Sequence, residues 1–593
     1  MLITNPYVRF EMIVENAQFN FSSPCNQPFA DISLLNDIDK EIDDFMTLEL
    51  NKSVLNSELD TIDNIHNIAF LSNSLSDSNC QFGNVYILSL QQLNEGKDFF
   101  ALSLDFGVNY PKKIRVVYRS NDSSNNCETI VDDIDNSYIV VDMQGKSIIR
   151  VDIYFLESWA PFQFAYLQEV DFGIVYKWRQ DDIIDLTITE ETPFYCTTLP
   201  VDTAQLTVYL PNDQFNMINN KNLLDYLNNN QKFKIIEKIE DTETGEIKTI
   251  DFGTYYLSNI KNESEHKVTF NLSTILSKLD KKEFIVSNMY YYSKAYDVIL
   301  EICREAGVSD YIEIDESLKN KYLVGYIPKM SCRAALQQVL FVTNSMLYDN
   351  RSDKIRILKS DYSVKQIVDY DKIFYPYEIE QDNSIAKISY EYFSYFRNFF
   401  GKEKLATISV NSVKPFTINF SKPIDPNTLE VDDSSIIISK YALYATIMPL
   451  TNIKHDVTLR AITYLETKYN GETSFGNSEN IKEYNINNIK FLNHNNSEDI
   501  MNSISKFTSK VITYKIEYLC TGQETGKYTK FIFSTPLNFI TYDFFDSSIK
   551  KQFLTSDGKE FRAYPKQIIG YLKYQTIDLA HGMIAKAEIV LRK

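Results

Sequence analysis

The sequence predicts a mainly β, multi-domain chain with a small α/β insert. Three observations carry that expectation. Strand-length runs with period-two alternation, separated by turn residues, recur along most of the 593 residues. Helical periodicity is concentrated in residues 291–375, with one further helix near the C-terminal end. At roughly 100–200 residues per domain, the length corresponds to about three to five domains.

Residues 1–59 read as an N-terminal arm with short strands. Met46, Leu48 and Leu50 alternate there with Thr47 and Glu49. The acidic run Asp37–Asp44 lacks the D-x-D-x-D-G spacing of a calcium loop and reads as a solvated loop. Residues 60–179 read as a β sandwich or jelly roll, with turn signals separating "CQFGNVYILSL", "FFALSLDF", "KKIRVVYRS", "SYIVVDM" and "KSIIRVDIYFLES". Within the last of these, Ile149, Val151, Ile153 and Phe155 alternate with Arg150, Asp152 and Tyr154, which predicts one dry face and one wet face.

Residues 180–290 read as a further β-domain. Ile184, Leu186 and Ile188 alternate, and a hairpin turns at Asp241–Gly245. Gly253, inside the returning strand, predicts a bulge or a close backbone approach. "GTYYLSNI" then pairs with "KVTFNLS" across Asn262–Glu265, and Ser273 starts a short helical turn.

Residues 291–375 read as helix, helix and hairpin. The first helix carries Ala295, Ile299, Ile302 and Ala306 on one face and stops at Gly307. The second is capped by Ser331 and carries Leu336, Val339, Leu340 and Thr343. The hairpin turns near Asn350–Asp353. Residues 376–593 return to strands as a second β-domain. One inserted helix is capped by Ser497 and striped by Ile500, Ile504, Phe507 and Val511. The final strand pair turns at Leu579–Gly582.

A formal net charge of −20 repels phosphates, so nucleic acid is not an expected partner. The seven cysteines form no C-x-x-C and are odd in number, which argues against a disulfide framework or zinc site and for cytoplasmic synthesis with reduced thiols. The first residues lack the apolar core of a signal peptide, and no apolar run approaches the ~18 residues of a membrane span, so no membrane insertion is expected.

Catalytic signatures are missing. The five histidines are isolated, and G-x-S-x-G does not occur. "GKS" at Gly145–Ser147 lacks the upstream glycine of a phosphate loop. Glu190 with Glu191, or Asp181 with Asp182, would be a carboxylate pair for glycoside hydrolysis, yet both read more simply as a solvated linker between domains. The expectation is a non-enzyme with no cofactor and no metal.

Two aromatic groups remain. "YFSYFRNFF" holds Tyr392, Phe393, Tyr395, Phe396, Phe399 and Phe400, more rings than one strand face accommodates. It is a candidate subunit interface, with ordinary core as the other reading. Trp159, beside Pro161 and Phe162, is a candidate glycan contact.

The segments "TLELN", "FLSNSLSDSNCQF", "EVDFGIVYKW", "LTITEETPFYCTTLPVDTAQLTVYLPND" and "IDFGTYYLSNI" occur in an order that resembles tail-tip or baseplate proteins of phages, prophages and phage-tail-like bacteriocins (tailocins) of Gram-positive hosts. Leu186–Leu358 looks like their hub-type module, and "PKQIIGYLKYQTIDLAHGMIAKAEIVLRK" is similar to that module's last strands. Within residues 60–179, "IIRVDIYF" followed by "EVDFG" resembles discoidin-like, galactose-binding jelly rolls. The resemblance implies a jelly-roll domain followed by hub-type β-domains, with no catalytic residues. It implies a virion or tail-like particle, released by lysis, in which the chain joins the tail to host-contacting parts. The implied partners are other tail or baseplate proteins, further copies of the chain in a trimer or other ring, and a cell-surface glycan. Where the usual hub has a "GD"-type turn, this chain reads "NFITYDFFDSSIKK", so central hub and peripheral baseplate subunit both stay open. The alternative class is a cell-surface carbohydrate-binding protein or a glycan or peptidoglycan hydrolase.

Overall fold

The computed structural model describes the chain except for residues 1, 14–18, 37–44, 47–48, 50–59, 62–67, 92–96, 108–109, 123, 125, 194–196, 211–230, 243, 265, 362, 382–384, 411–412, 434–435, 451–454, 475–481, 509–511, 534–566 and 592–593. The acidic run Asp37–Asp44, Leu48, Leu50, Val511 and the "NFITYDFFDSSIKK" segment therefore lie outside the described residues. The described residues are mainly strand, with three α-helices among them. They fall into two compact units: residues 8–177 with 223–233, and residues 1–7 with 178–222 and 234–593.

The first unit is built on one seven-stranded sheet. Its strands are β1 (Phe19–Ser22), β2 (Gln81–Gln91), β3 (Lys97–Asp105), β4 (Lys113–Ser120), β5 (Cys127–Val131), β6 (Tyr138–Glu157) and β7 (Glu169–Asp171). The order is β7-β3-β6-β2-β1, with β4 pairing both β6 and β5. The 20-residue β6 is the spine. Its first half pairs with β3, and its second half lies between β2 and β4.

Val151, Ile153 and Phe155 point into the core, as alternation predicts. Ile148 joins them and Ile149 does not, because the ladder to β4 shifts register between Ile148 and Arg150. Such an irregularity moves every preceding side chain to the other face. The wet face also departs from expectation at Asp152, which is fully buried under Arg150 at 2.7 Å.

The second unit carries the larger sheet. Its strands include β8 (Ile183–Glu191), β9 (Thr203–Tyr209), β10 (Lys232–Asp241), β11 (Ile247–Ser264) and β12 (Lys267–Ser273). The helices α1 (Ala295–Glu305) and α2 (Cys332–Thr343) follow, and then the hairpin β13 (Ser345–Tyr348) and β14 (Ile355–Lys359). The C-terminal part adds β15 (Ile373–Gln381), β16 (Ile385–Arg397), β17 (Tyr464–Ser474), α3 (Ser497–Thr508), β18 (Ile512–Leu519), β19 (Tyr528–Ile532), β20 (Gln567–Asp578) and β21 (Ile584–Leu591).

The order β10-β11-β12-β9-β8-β20-β21-β18-β15 puts strands from residues 180–290 and from residues 376–593 into one sheet. The two segments meet where β8 runs antiparallel to β20. An insert between β16 and β17 has its own core. Two three-stranded sheets there enclose Val410, Leu429, Ile447, Val457 and Leu459.

Local signals explain the helical part. The Ser331 hydroxyl accepts the Ala334 N–H at 3.2 Å and starts α2. Gly307 follows α1 at φ +72. The turn after β12 differs by one residue from expectation: Ser273 ends the strand, and Thr274 precedes a 3₁₀ turn at Ile275–Asp280. The segment around Asp181 is a closed turn and not a loose linker. Asp182 and Ile183 both donate to the Arg179 carbonyl, and Trp178 is buried against Phe270 at 5.4 Å.

Gly253 shows the close approach its position suggested. It adopts φ +87, and a Cβ there would lie 2.9 Å from the Ser352 backbone nitrogen. Gly253→Ala must strain the backbone and push back the β13–β14 turn. We expect it to destabilise this unit by about 1–3 kcal/mol in urea unfolding.

Candidate functional site

The aromatic run divides by strand alternation. On β16, Phe393 (1% exposed) and Tyr395 (6%) point inward and pack with Tyr326, Ala442 and Tyr464. The Tyr395 hydroxyl donates to the Lys490 carbonyl at 2.8 Å, and the Lys490 ammonium sits 4.0 Å over the Phe393 ring. These two rings are therefore core, which corrects their place in the candidate interface. Tyr392, on the opposite side, is half-buried and stacks on its cross-strand partner Tyr469 at 5.2 Å.

The remaining three rings are presented outward. Phe396 is 61% exposed and pairs across the ladder with Leu465, itself 57% exposed. Phe399 is 85% exposed and Phe400 completely so. Their turn is held by the Asn398 side chain, which accepts the Phe400 N–H at 2.9 Å and donates to Glu403 at 2.8 Å. At ~200 Å² per phenylalanine the three rings offer on the order of 500 Å², the size of the largest apolar patch on a typical monomer, a kind of patch that is often functional.

In the first unit, Trp159 and Phe162 occupy one loop and are each about half exposed. Hydrogen bonds hold that loop: Ser158 Oγ donates to the Ala160 carbonyl at 2.7 Å, and Gln163 N–H donates to Ser76 Oγ at 3.0 Å. The indole N–H already donates to the Ile134 carbonyl at 2.8 Å, so what Trp159 offers a ligand is its ring.

The carboxylate pairs do not form a cleft. Glu190 and Glu191 are neighbours on β8 and point to opposite faces. Glu190 is fully buried and pairs with Arg351 at 2.6 Å. Gln575 Nε2 donates to its second oxygen at 2.6 Å, and the Tyr518 hydroxyl donates to Gln575 Oε1 at 2.6 Å. Arg351 also donates to the Gln523 carbonyl at 3.0 Å and lies 4.0 Å over the Phe252 ring. Burial works against the Arg351 charge, but Glu190 and then Cys520 outweigh it and hold the pKa above its ordinary value. Asp181 is exposed, and Asp182, half-buried, accepts the Arg179 N–H at 3.1 Å.

Sequence reasoning placed Glu190 in a solvated linker and missed this network altogether. Its partner lies 161 residues away, beyond the reach of local periodicity. Among the described residues one three-member group could ligate a metal: Asp185, Asp578 and His581, with His581 Nδ1 3.0 Å from Asp578. It is a partly exposed surface cluster and no role is assigned to it. The six described cysteines are free thiols, and no helix among the described residues is long and apolar enough to cross a membrane.

No family model matches the sequence, and no curated protein matches it. Solved structures do align. One is the tail protein from Neisseria meningitidis MC58, at 9% identity and TM-score 0.36, covering 70% of this chain and 94% of that one. A second is the prophage MuSo2 43 kDa tail protein from Shewanella oneidensis, at 9% identity and TM-score 0.35, covering 71% and 96%. A third is the prophage tail protein gp18 from Listeria monocytogenes EGD-e, at 8% identity and TM-score 0.34, covering 70% and 91%. Likeness at this level carries no argument about the role of this chain.

The buried pair makes a direct prediction. Arg351→Met leaves the Glu190 carboxylate buried without its cation and should cost about 3–5 kcal/mol. Adding Glu190→Gln should recover part of that loss. Urea unfolding of the two single variants and the double variant measures the coupling; additive losses would contradict it.

Proposed function

We propose that the chain is a structural component of a phage or tailocin tail, placed at the baseplate or tail tip and assembling with copies of itself and with other tail proteins. The order of the β-segments quoted above supports the tail assignment. The observation that carries the assembling role is the aromatic tip at Phe396, Phe399 and Phe400. Exposed rings on a hydrogen-bonded ladder suit burial against another subunit. Truncating a buried interface aromatic commonly costs ~2 kcal/mol or more. A trimer or other ring would continue the symmetry of a tail tube.

The double variant Phe396→Ser with Phe399→Ser should keep its fold by circular dichroism and drop out of tail-like particles purified from producing cells. Wild-type chain should be found in those particles by mass spectrometry. Its absence from them would overturn the tail reading, and full incorporation of the variant would overturn the role of the tip.

A second reading concerns the first unit, which we infer to be a jelly roll able to contact a cell-surface glycan. The paired exposure of Trp159 and Phe162 on one held loop favours it. Trp159→Ala should weaken binding to host cell-wall polysaccharide about fivefold or more in calorimetric titration, with an unchanged unfolding midpoint. Stacking on such a ring is worth ~1 kcal/mol or more. Equal binding would remove this reading. Wall hydrolysis abolished by one Asp or Glu substitution would replace both with the enzyme alternative.

A further inference from the structure

Next to the Glu190–Arg351 pair, in the second unit, lie two more buried acids. Asp202, just before β9, is 1% exposed, and Asp349, at the β13–β14 turn, is 6% exposed. Asp202 Oδ1 accepts the Glu191 N–H at 2.8 Å, and its carbonyl accepts the Thr274 N–H at 3.0 Å. The Asp202 amide donates in turn to the Asp349 carboxylate. The Thr274 hydroxyl donates to Asp349 as well. The Asp349 carboxylate is thus tied to the Asp202 backbone and to the turn at Thr274, and the Asp202 carboxylate to the Glu191 backbone.

Their charges are unbalanced. The charged and titratable groups facing them are Glu190, Arg351 and Tyr255. Arg351 is already engaged by Glu190 and Gln523, and among the described residues neither aspartate has an ion-pair partner. With every acid ionised, three carboxylates would share one guanidinium in the interior, an arrangement that burial forbids. The Tyr255 hydroxyl is a second, independent sign. It is completely buried, sits in the field of Glu190 and Asp202, and has no hydrogen-bond partner among the described residues. A small cavity lined by Glu191, Thr192, Leu199, Met346, Leu347 and Asp349 lies beside the pair.

We propose that Asp202 and Asp349 form a proton-binding site, holding one proton between them at neutral pH, and that losing it unlatches the 345–359 hairpin from the turn at Thr274. Burial pushes Asp349 up to about 6 and raises Asp202 well above the ordinary carboxylate range, with Asp349 the next cause. The direction of the linkage follows. The native state binds more protons than the unfolded chain, whose aspartates titrate near ~4. The latch is therefore fully present below that value. It weakens as pH rises from there, by up to tenfold in folding constant per pH unit, until the folded values have been passed: about 6 for Asp349 and higher for Asp202.

The test compares the full-length wild type with Asp202→Asn and Asp349→Asn, each of which keeps an acceptor oxygen and cannot ionise. Between pH 5 and pH 8 the folding constant of the wild type should fall relative to each variant by roughly tenfold or more. Parallel curves would overturn the proposal. Hydrogen exchange on the wild type alone is a second readout. Protection of residues 345–359, corrected for intrinsic rates, should fall with pH relative to residues 584–591, and a constant ratio would overturn the latch. If calcium or a chelator at pH 8 shifts the midpoint of the wild type but not of the variants, the pair holds a metal instead, which also overturns the proposal.

Discussion

The second unit depends on one ion pair in its interior, Glu190 with Arg351. An ionised pair at this depth loses its hydration on both sides, and only a complete set of hydrogen bonds makes it tolerable. The set is supplied by groups far apart in the chain: Gln575 on β20, Gln523 after β18, and the ring of Phe252 on β11. Each element is thereby fixed relative to β8 and to the β13–β14 turn. Apolar packing alone would accept several arrangements of these strands, whereas the polar groups accept the one that brings Arg351 to Glu190.

The parts of the fold legible in the sequence are those written in nearest neighbours. Ser331 beginning α2, Gly307 ending α1, the turns at Asp241–Gly245 and Leu579–Gly582, and the close approach at Gly253 each follow from local backbone chemistry. Where a single residue shifts the ladder, local reading fails. Ile149 obeys the alternation in the sequence, yet the irregularity before Arg150 gives its place to Ile148. Asp152 reads as solvent-facing because its spacing says so, but two arginines cover it. Glu190 was opaque for the same reason on a larger scale: an acidic pair after a strand looks like a linker until Arg351 is brought to it from the hairpin turn.

The aromatic run shows how composition and register combine. Nine residues hold six rings, too many for one face, and the sequence leaves open which rings turn outward. The β16–β17 register decides it. Phe393 and Tyr395 fall opposite Lys468 and Glu466 and close over a small core, while Phe396 falls opposite Leu465. The strand then ends, and the Asn398 turn carries Phe399 and Phe400 beyond any intramolecular partner among the described residues. The same ladder buries two rings and displays three, so the outward rings stand on a base that their own removal need not disturb.

Register also decides where the interior of this unit is polar. β8 and β20 are far apart in the chain, with Glu190 and Gln575 385 residues apart, and both are rich in alternating apolar residues, so a slip of two residues would keep the inward faces matched. It would not keep Glu190 beside Gln575. In the observed register Glu190 is opposite Gln575 and Glu191 is opposite Tyr574. A two-residue slip would place Glu190 opposite Lys573 or Ile577 and strand its carboxylate away from the amide that satisfies it. The ion pair therefore selects among registers that hydrophobic patterning leaves nearly equal. A network that contributes little net stability still determines which sheet is formed.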